Sequence, residues 1–168
     1  MTSIKAKIGL TLKKKIGEKQ SEIDHNEDRI SQLEKSIEDW TMIDKDLDEV
    51  YTLKQIPGAV GETYREDGMV VMEYSSPSME VHELRHGGQN ARNELIITGR
   101  GESPAWKGGL GHLDRLSMEV DAYKAQFGFS AGSMPKSRNH GGYSFGSINR
   151  KYLQGLYDAS GNLLYPGI

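Results

Sequence analysis

A proline-free run over residues 12–51, rich in Glu, Lys, Gln and Asp, places the strongest constraint on how this chain can fold. Its apolar residues recur every three, four or seven positions, which is typical of one face of a helix. These residues are Ile16, Ile23, Ile30, Leu33, Ile37, Trp40 and Leu47. The spacing is close to a coiled-coil heptad, although Lys19 and Asn26 occupy two of the seam positions. We therefore predict one long helix that lies on the rest of the chain or pairs with a neighbour in a helix-mediated oligomer.

The composition indicates a chain in two parts. Its 168 residues are a typical length for one domain with an added segment. Only 36% of them are hydrophobic, whereas compact domains usually contain about 45–50%. The polar helix accounts for the difference, and its pattern breaks at Pro57 and Gly58. We therefore assign residues 1–55 to a helical segment and residues 56–168 to a folded domain.

Charge and residue types exclude several classes of function. The formal net charge of −3 does not favour binding to nucleic acid or to an anionic membrane. The chain has no cysteine, so disulfides, thiolate metal ligands and cysteine nucleophiles are excluded. The N-terminal residues contain no apolar run long enough for a signal peptide or a membrane span. We expect a protein made in the cytoplasm, whose export would require a specialised secretion system.

The second part of the chain has the pattern of an α+β domain. A turn signal at Asp67 and Gly68 precedes the β-rich run Met69–Tyr74, which predicts a strand. Serines at 75, 76 and 78 then offer caps for a helix that runs to about residue 95. A glycine-rich loop over 99–111 and a second helix over 113–127 follow. We expect the strand to form a sheet edge beside a cleft, where it could hold an extended peptide.

The first predicted helix of this domain carries His82, Glu83 and His86. Residues four apart lie on one side of a helix, so the two imidazoles can bind one metal ion. Glu83, one position further on, can reach a water molecule on that ion. In this H-E-x-x-H arrangement, zinc (Zn²⁺) lowers the pKa of the water to roughly 7 and the glutamate is the general base. The alternative is an ordinary helix surface that carries two histidines.

A catalytic zinc ion needs a third protein ligand. The extended motif with a third histidine is absent, since Gln89 and Arg92 occupy its glycine and histidine positions. Glu119 on the second predicted helix is the best candidate, and Asp121 is the competing one. Asp121 could also accept a hydrogen bond from a histidine N–H. The alternative for Glu119 is a solvated carboxylate on a helix surface.

Two stretches in this order, H-E-L-R-H-G-G-Q and E-V-D-A-Y-K-A-Q, resemble the small bacterial metallopeptidase domains of the gluzincin type. Similar domains occur as toxin modules of polymorphic-toxin and secretion-effector systems. The likeness covers residues 67–127 and implies a zincin-like fold that hydrolyses peptide bonds of a peptide or protein substrate. It implies His82, His86 and Glu119 as zinc ligands and Glu83 as general base. A toxin of this kind would also meet an immunity or delivery protein.

Other residues have weaker sequence support. A peptidase needs a hydrogen-bond donor for the oxyanion of its tetrahedral intermediate. The candidates, each of which could instead serve packing or the surface, are His112, His140, Tyr143, Tyr152 and Tyr157. We expect Arg85 and Arg92 on the outer helix face, and close packing of another backbone against the helix turn at Gly87 and Gly88.

A role without catalysis is the alternative function. The domain would then be an inactive zincin-like binding or assembly module, with zinc structural or absent. The long N-terminal helix would be its assembly element.

Overall fold

The computed structural model of the chain describes residues 4–58, 60–102 and 115–165, with the side chains of its first helix from residue 13. Nine elements follow one another in an α+β arrangement. They are α1 (Ile4–Lys45), β1 (Val50–Gln55), β2 (Glu62–Glu66), β3 (Met69–Tyr74), α2 (Pro77–Ala91), α3 (Arg115–Phe129), two short 3-10 turns (Ala131–Ser133 and Phe145–Ser147) and α4 (Arg150–Gln154). In these parts of the chain, no helix has the length and apolar content needed to cross a membrane.

The long helix is present, but its predicted end was wrong. It ends at Lys45, and Tyr51, which we placed in the helix, lies in strand β1. The helix ends where Asp46 accepts a hydrogen bond from the backbone N–H of Asp48 (3.0 Å), since such local bonds favour a turn over a further helical residue. Tyr51 also donates its hydroxyl to Asp46 (2.8 Å). Residues 50–55, assigned above to the helical segment, therefore belong to the sheet.

The three strands form one sheet in the order β1-β3-β2. Strand β3 pairs in parallel with β1 and antiparallel with β2, so the expectation that Met69–Tyr74 forms a sheet edge was wrong. The reason is burial, because Val70, Val71 and Met72 are almost fully enclosed. A continuous apolar run of this kind is typical of a strand covered on both faces. Strand β2, with the polar sequence E-T-Y-R-E, is an edge strand.

Helix α2 begins and ends through local polar contacts. The Ser76 hydroxyl caps its first turn by accepting from the backbone N–H of Met79 (3.4 Å). The helix ends at Ala91, before the predicted residue 95, and Asn93 takes a left-handed conformation (φ 59°). This early end turns the chain back towards the sheet, where the backbone N–H of Ile97 donates to the side chain of Asn90 (3.3 Å).

Glycines in α2 allow the first helix to approach closely. A Cβ atom at Gly88 would overlap the side chain of Asp39 in α1, and one at Gly87 would overlap Met72 of β3. Close packing at these glycines was expected from another backbone, but the nearest packing atoms belong to side chains of α1 and β3. Helix propensity is therefore reduced at these two positions in exchange for tight contact.

Arg85 does not lie on an outer face, contrary to our expectation. Its side chain is fully buried between α1 and α3, where it forms ion pairs with Asp39 and Asp121. Arg92 is also largely covered and pairs with Asp39 and Glu94. The outer-face prediction failed because α1 covers this side of α2. A separate apolar cluster of α3, α4 and the C-terminal residues forms the main core.

Candidate metal centre

Helices α2 and α3 bring His82, His86 and Glu119 together. The Nε2 atom of His82 lies 3.6 Å from Oε2 of Glu119, and the Nε2 atom of His86 lies 3.7 Å from the same oxygen. One donor atom from each residue lies within 4.8 Å of the other two. Both imidazoles are buried and the carboxylate is nearly so. The two helices thus bring three potential metal ligands, two imidazoles and one carboxylate, close together.

The donor set fits a zinc ion. Tetrahedral zinc holds nitrogen and oxygen ligands at about 2.0–2.2 Å, which places neighbouring donors about 3.3–3.6 Å apart. The two distances to Oε2 of Glu119 are close to this range. Two imidazoles and one carboxylate are also a known ligand set of catalytic zinc, which keeps its fourth position for water or substrate.

Gln89 determines which nitrogen of His86 can bind a metal. Its side-chain oxygen lies 2.8 Å from Nδ1 of His86. Its side-chain NH₂ group donates to the backbone oxygen of Met118 (3.3 Å) and to Asp121 (3.4 Å). Because both acceptors hold the NH₂ group, the amide oxygen faces the imidazole and accepts the Nδ1 proton. The lone pair of Nε2 then points to the ligand cluster, as in many metal sites.

Asp121 acts at a distance from the cluster. It accepts from Lys35 of α1 (2.7 Å) and from Arg85 (3.0 Å). Burial raises the pKa of Asp121, but the positive charges of Arg85 and Lys35 outweigh that effect and lower it. The structure therefore places Asp121 behind Gln89, and it neither joins Glu119 in the ligand cluster nor contacts a histidine directly.

Glu83 faces the same pocket from α2. Its Oε2 atom accepts a hydrogen bond from the hydroxyl of Thr63 on β2 (2.9 Å). A Cβ atom at Gly61 would overlap the carboxylate, so the chain just before β2 must approach Glu83 closely. Burial raises the pKa of Glu83, although His82 and His86 partly offset it. A carboxyl with a raised pKa is well suited to exchanging protons near neutral pH.

The ligand cluster lines a pocket of about 220 Å³. Residues 60–63, which lead into and begin strand β2, form one wall. The side chains of Leu95 and Ile97 add apolar surface, and α2 and α3 contribute the polar groups. The pocket therefore joins the polar ligand cluster to an apolar wall and to a strand edge.

Two tyrosines that sequence reasoning missed complete the centre. Tyr165 donates its hydroxyl to Oε2 of Glu119 (2.7 Å), and the ring of Tyr123 packs edge-on against His82 (4.5 Å between centroids). Burial and the nearby Glu119 raise the pKa of both phenols, so the hydroxyls keep their protons. Tyr123 follows Glu119 by four residues on one helix, a spacing that could have indicated it. Tyr165 lies 46 residues from Glu119 and has no local signal.

The C-terminal turn delivers Tyr165 to the pocket. Tyr157 and Leu163 form an antiparallel bridge, and the backbone N–H of Leu164 donates to Leu156 (3.0 Å). Gly161 takes the left-handed conformation (φ 84°) that this tight turn requires.

Four of the five oxyanion donors suggested by the sequence lie in the described part of the chain, and none of these four lines the pocket. His140 is exposed and Tyr143 is 82% exposed. Tyr152 donates to the backbone oxygen of Pro135 (2.6 Å), and the ring of Tyr157 packs under Arg138. His112 lies outside the described residues.

Comparisons with protein families, with curated proteins and with solved structures found no match to this chain. Conclusions about function therefore depend on the geometry of the pocket and on the chemistry of its residues.

Proposed function

We propose that this chain is a zinc-dependent metallopeptidase with a zincin-like fold. His82, His86 and Glu119 would hold the ion, and Glu83 would be the general base. One observation carries the proposal: three ligand side chains from two separate helices converge in one pocket that also contains Glu83. The general base is buried and hydrogen-bonded within that pocket.

The chemistry divides between the ion and the protein. When bound, zinc supplies a Lewis acid that polarises the peptide carbonyl and lowers the pKa of water. Glu83 accepts a proton from the attacking water and passes it to the leaving amine. The Thr63 hydroxyl, which donates to Oε2 of Glu83, keeps that carboxylate in one orientation.

Tyr165 is the proposed donor to the oxyanion. Its hydroxyl lies at the ligand cluster and keeps its proton, because burial and the neighbouring Glu119 raise its pKa. This single proton is donated to Oε2 of Glu119, and the hydroxyl would turn from that oxygen to the oxyanion once Oε2 holds zinc. A fixed donor in a dry pocket stabilises developing negative charge more than it would in water. Tyr165→Phe should therefore lower kcat by about 10²-fold when measured at saturating zinc.

The start of β2 is the proposed docking edge for the substrate. Residues 60–63 line the pocket, and they belong to or adjoin an edge strand. An extended peptide can pair with such an edge through its backbone, while the apolar wall receives a side chain. This is the role that the sequence suggested for β3.

The test is a comparison of two zinc-loaded proteins on a peptide library derived from a bacterial proteome, read by mass spectrometry. The wild type should produce new peptide ends, and Glu83→Gln should retain zinc and produce none. If both proteins bind zinc and neither cleaves any peptide, the metallopeptidase proposal fails and the inactive binding module takes its place. If both produce the same ends, Glu83 is not the general base.

A further inference from the structure

Helix α1 uses a largely polar face to contact the rest of the molecule. The ring of His25 packs against Phe127 (5.9 Å between centroids), and Arg29 donates to the backbone oxygen of Gly128 (3.1 Å). Further along, Asp39 pairs with Arg85 and Arg92. These contacts fix how the helix is rotated on the domain.

A second face of α1 is apolar and exposed. Its side chains are between 37% and 68% exposed, and we call them the α1 seam: Ile16, Ile23, Ile30, Leu33, Ile37 and Trp40. Their positions match the a and d sites of a heptad, with Ile at a and Leu33 and Trp40 at d. Such residues are normally buried by a facing helix. The α1 seam therefore has the pattern of a surface that packs against another helix.

On the side of the α1 seam that faces away from the rest of the molecule, the charged side chains from residue 24 to residue 38 are acidic. Asp24, Glu27, Glu34 and Glu38 are all exposed. None of the last three forms an ion pair within the described part of the chain. Two of the nearby cations face the domain, since Arg29 donates to Gly128 and Lys35 pairs with Asp121. Lys19 lies in the seam itself and pairs with Glu22. A helix in the seam would therefore meet negative charge along this flank.

These charges do not suit a second copy of the chain. In a parallel pair, the d site of Lys19 would face Lys19 of the other copy, and Glu22 would lie beside Glu27 of the other copy. In an antiparallel pair, the rows that contain Glu27 and Glu34 would face each other. The acidic flank also opposes docking on an anionic membrane surface.

We propose that the α1 seam binds an amphipathic helix of a different protein, with an apolar seam flanked by lysine or arginine. The occupied length from Ile16 to Trp40 would be about 36 Å, since a helix rises about 1.5 Å per residue. Polar residues at the Lys19 and Asn26 sites would fix the register of the two helices. The proposal does not depend on the peptidase activity.

The experiment uses two synthetic helical peptides, each about four heptads long, with Ile at a and Leu at d. One has Lys at its e and g sites and the other has Glu. Binding to the full chain is measured by fluorescence anisotropy. We expect the Lys peptide to bind at least tenfold more tightly than the Glu peptide.

Variants test whether the seam is responsible. The double change Ile30→Ser and Ile37→Ser should weaken binding of the Lys peptide at least tenfold, which is about 1.4 kcal/mol. The triple change Glu27→Gln, Glu34→Gln and Glu38→Gln should weaken it severalfold. Tyr143→Ser, which removes an exposed aromatic ring elsewhere, is the matched control and should leave binding unchanged. Circular dichroism establishes that every variant is folded.

Several results would overturn the proposal. Equal binding to the wild type and the double variant would mean that the Lys peptide attaches only through charge. Failure of both peptides to bind would remove the seam as a docking site for a basic helix. A dimer in sedimentation that the double variant abolishes would make the occupant a second copy. Binding to vesicles with anionic lipid that the double variant abolishes would make it a membrane.

Discussion

Helix α2 has two buried faces with different chemistry. The pocket face carries His82, Glu83 and His86, which face the metal centre. The support face carries Arg85 and Gln89, which contact α1 and α3. The motif on the pocket face consists of residues close together in sequence, although Glu119 joins it from α3. The support face consists of ion pairs between residues far apart in sequence, such as Arg85 and Asp121, 36 positions apart.

The two faces are coupled through a series of side-chain contacts. The support face holds Asp121 in place, Asp121 orients Gln89, and Gln89 orients His86. The first helix is part of this chain of contacts, because Lys35 and Asp39 belong to it. A change on the support face should therefore reach the metal centre without touching a ligand, whereas a change on the pocket face should spare the fold.

Among changes on the pocket face, Glu83→Gln should cause the largest loss of activity. Loss of the general base should lower kcat by about 10²–10⁴-fold, with zinc content and melting temperature close to wild type. Steady-state cleavage of the best library peptide measures the effect. Glu80→Gln, on the same helix but outside the pocket, is the matched control. Full activity in Glu83→Gln would contradict the assigned role.

On the support face, Arg85→Met removes the shared ion-pair partner of Asp39 and Asp121. Removal of one partner from a buried ionic cluster costs about 3–5 kcal/mol, because Asp39 and Asp121 would be left without their shared cation. Urea unfolding of the metal-free protein measures this free energy. The triple change Asp39→Asn, Arg85→Met and Asp121→Asn should recover part of it. A loss below about 1 kcal/mol would mean that the cluster is weakly coupled.

Gln89 tests the link between the two faces. Gln89→Leu should weaken zinc binding about 10–100-fold, because Nδ1 of His86 would lose its acceptor. Gln89→Glu should recover only part of the affinity, since it offers an oxygen to that proton but turns its second oxygen towards the acceptors on Met118 and Asp121. Competition with a coloured chelator gives both affinities. Equal affinity in wild type and Gln89→Leu would show that this contact does not orient the ligand.

The two faces also explain what sequence could predict. Helix periodicity placed His82 and His86 on one side of α2, whereas Glu119 was chosen through the likeness to gluzincin-type domains. The end of α1 and the strand Val50–Gln55 were missed, because D-L-D-E-V-Y continues the polar composition of the helix. The central position of β3 depends on that missed strand.

The contacts of the support face could not be predicted from the sequence, for a related reason. Arg85 looks like a surface residue until Asp39 is known to be buried, and Asp39 lies in a helix whose composition suggests full solvation. Tyr165 reaches Glu119 only through the folding of the C-terminal turn. Contacts of this kind depend on tertiary packing, which no local pattern contains.

A further expected effect is on the pH dependence of stability in the metal-free protein. Burial lowers the pKa of His86, but the carboxylates of Glu119 and Glu83 raise it to about 9. Because this folded-state pKa exceeds the ordinary value of 6.5, the stabilisation is complete below pH 6.5 and is lost as pH rises through about 9. The unfolding free energy should therefore fall across this interval.

Urea unfolding at a series of pH values measures the trend. His86→Gln should reduce the slope between pH 6.5 and 9, whereas the exposed His140→Gln should leave it unchanged. An unchanged slope in His86→Gln would mean that another group titrates.

The central claim is that the pocket face holds zinc through His82, His86 and Glu119. X-ray absorption at the zinc edge of the reconstituted full chain tests it most directly. We predict one zinc ion per chain, with scattering from two imidazoles and with nitrogen and oxygen neighbours at about 2.0–2.2 Å. A protein that retains no zinc, or a zinc spectrum without imidazole scattering, would contradict this account.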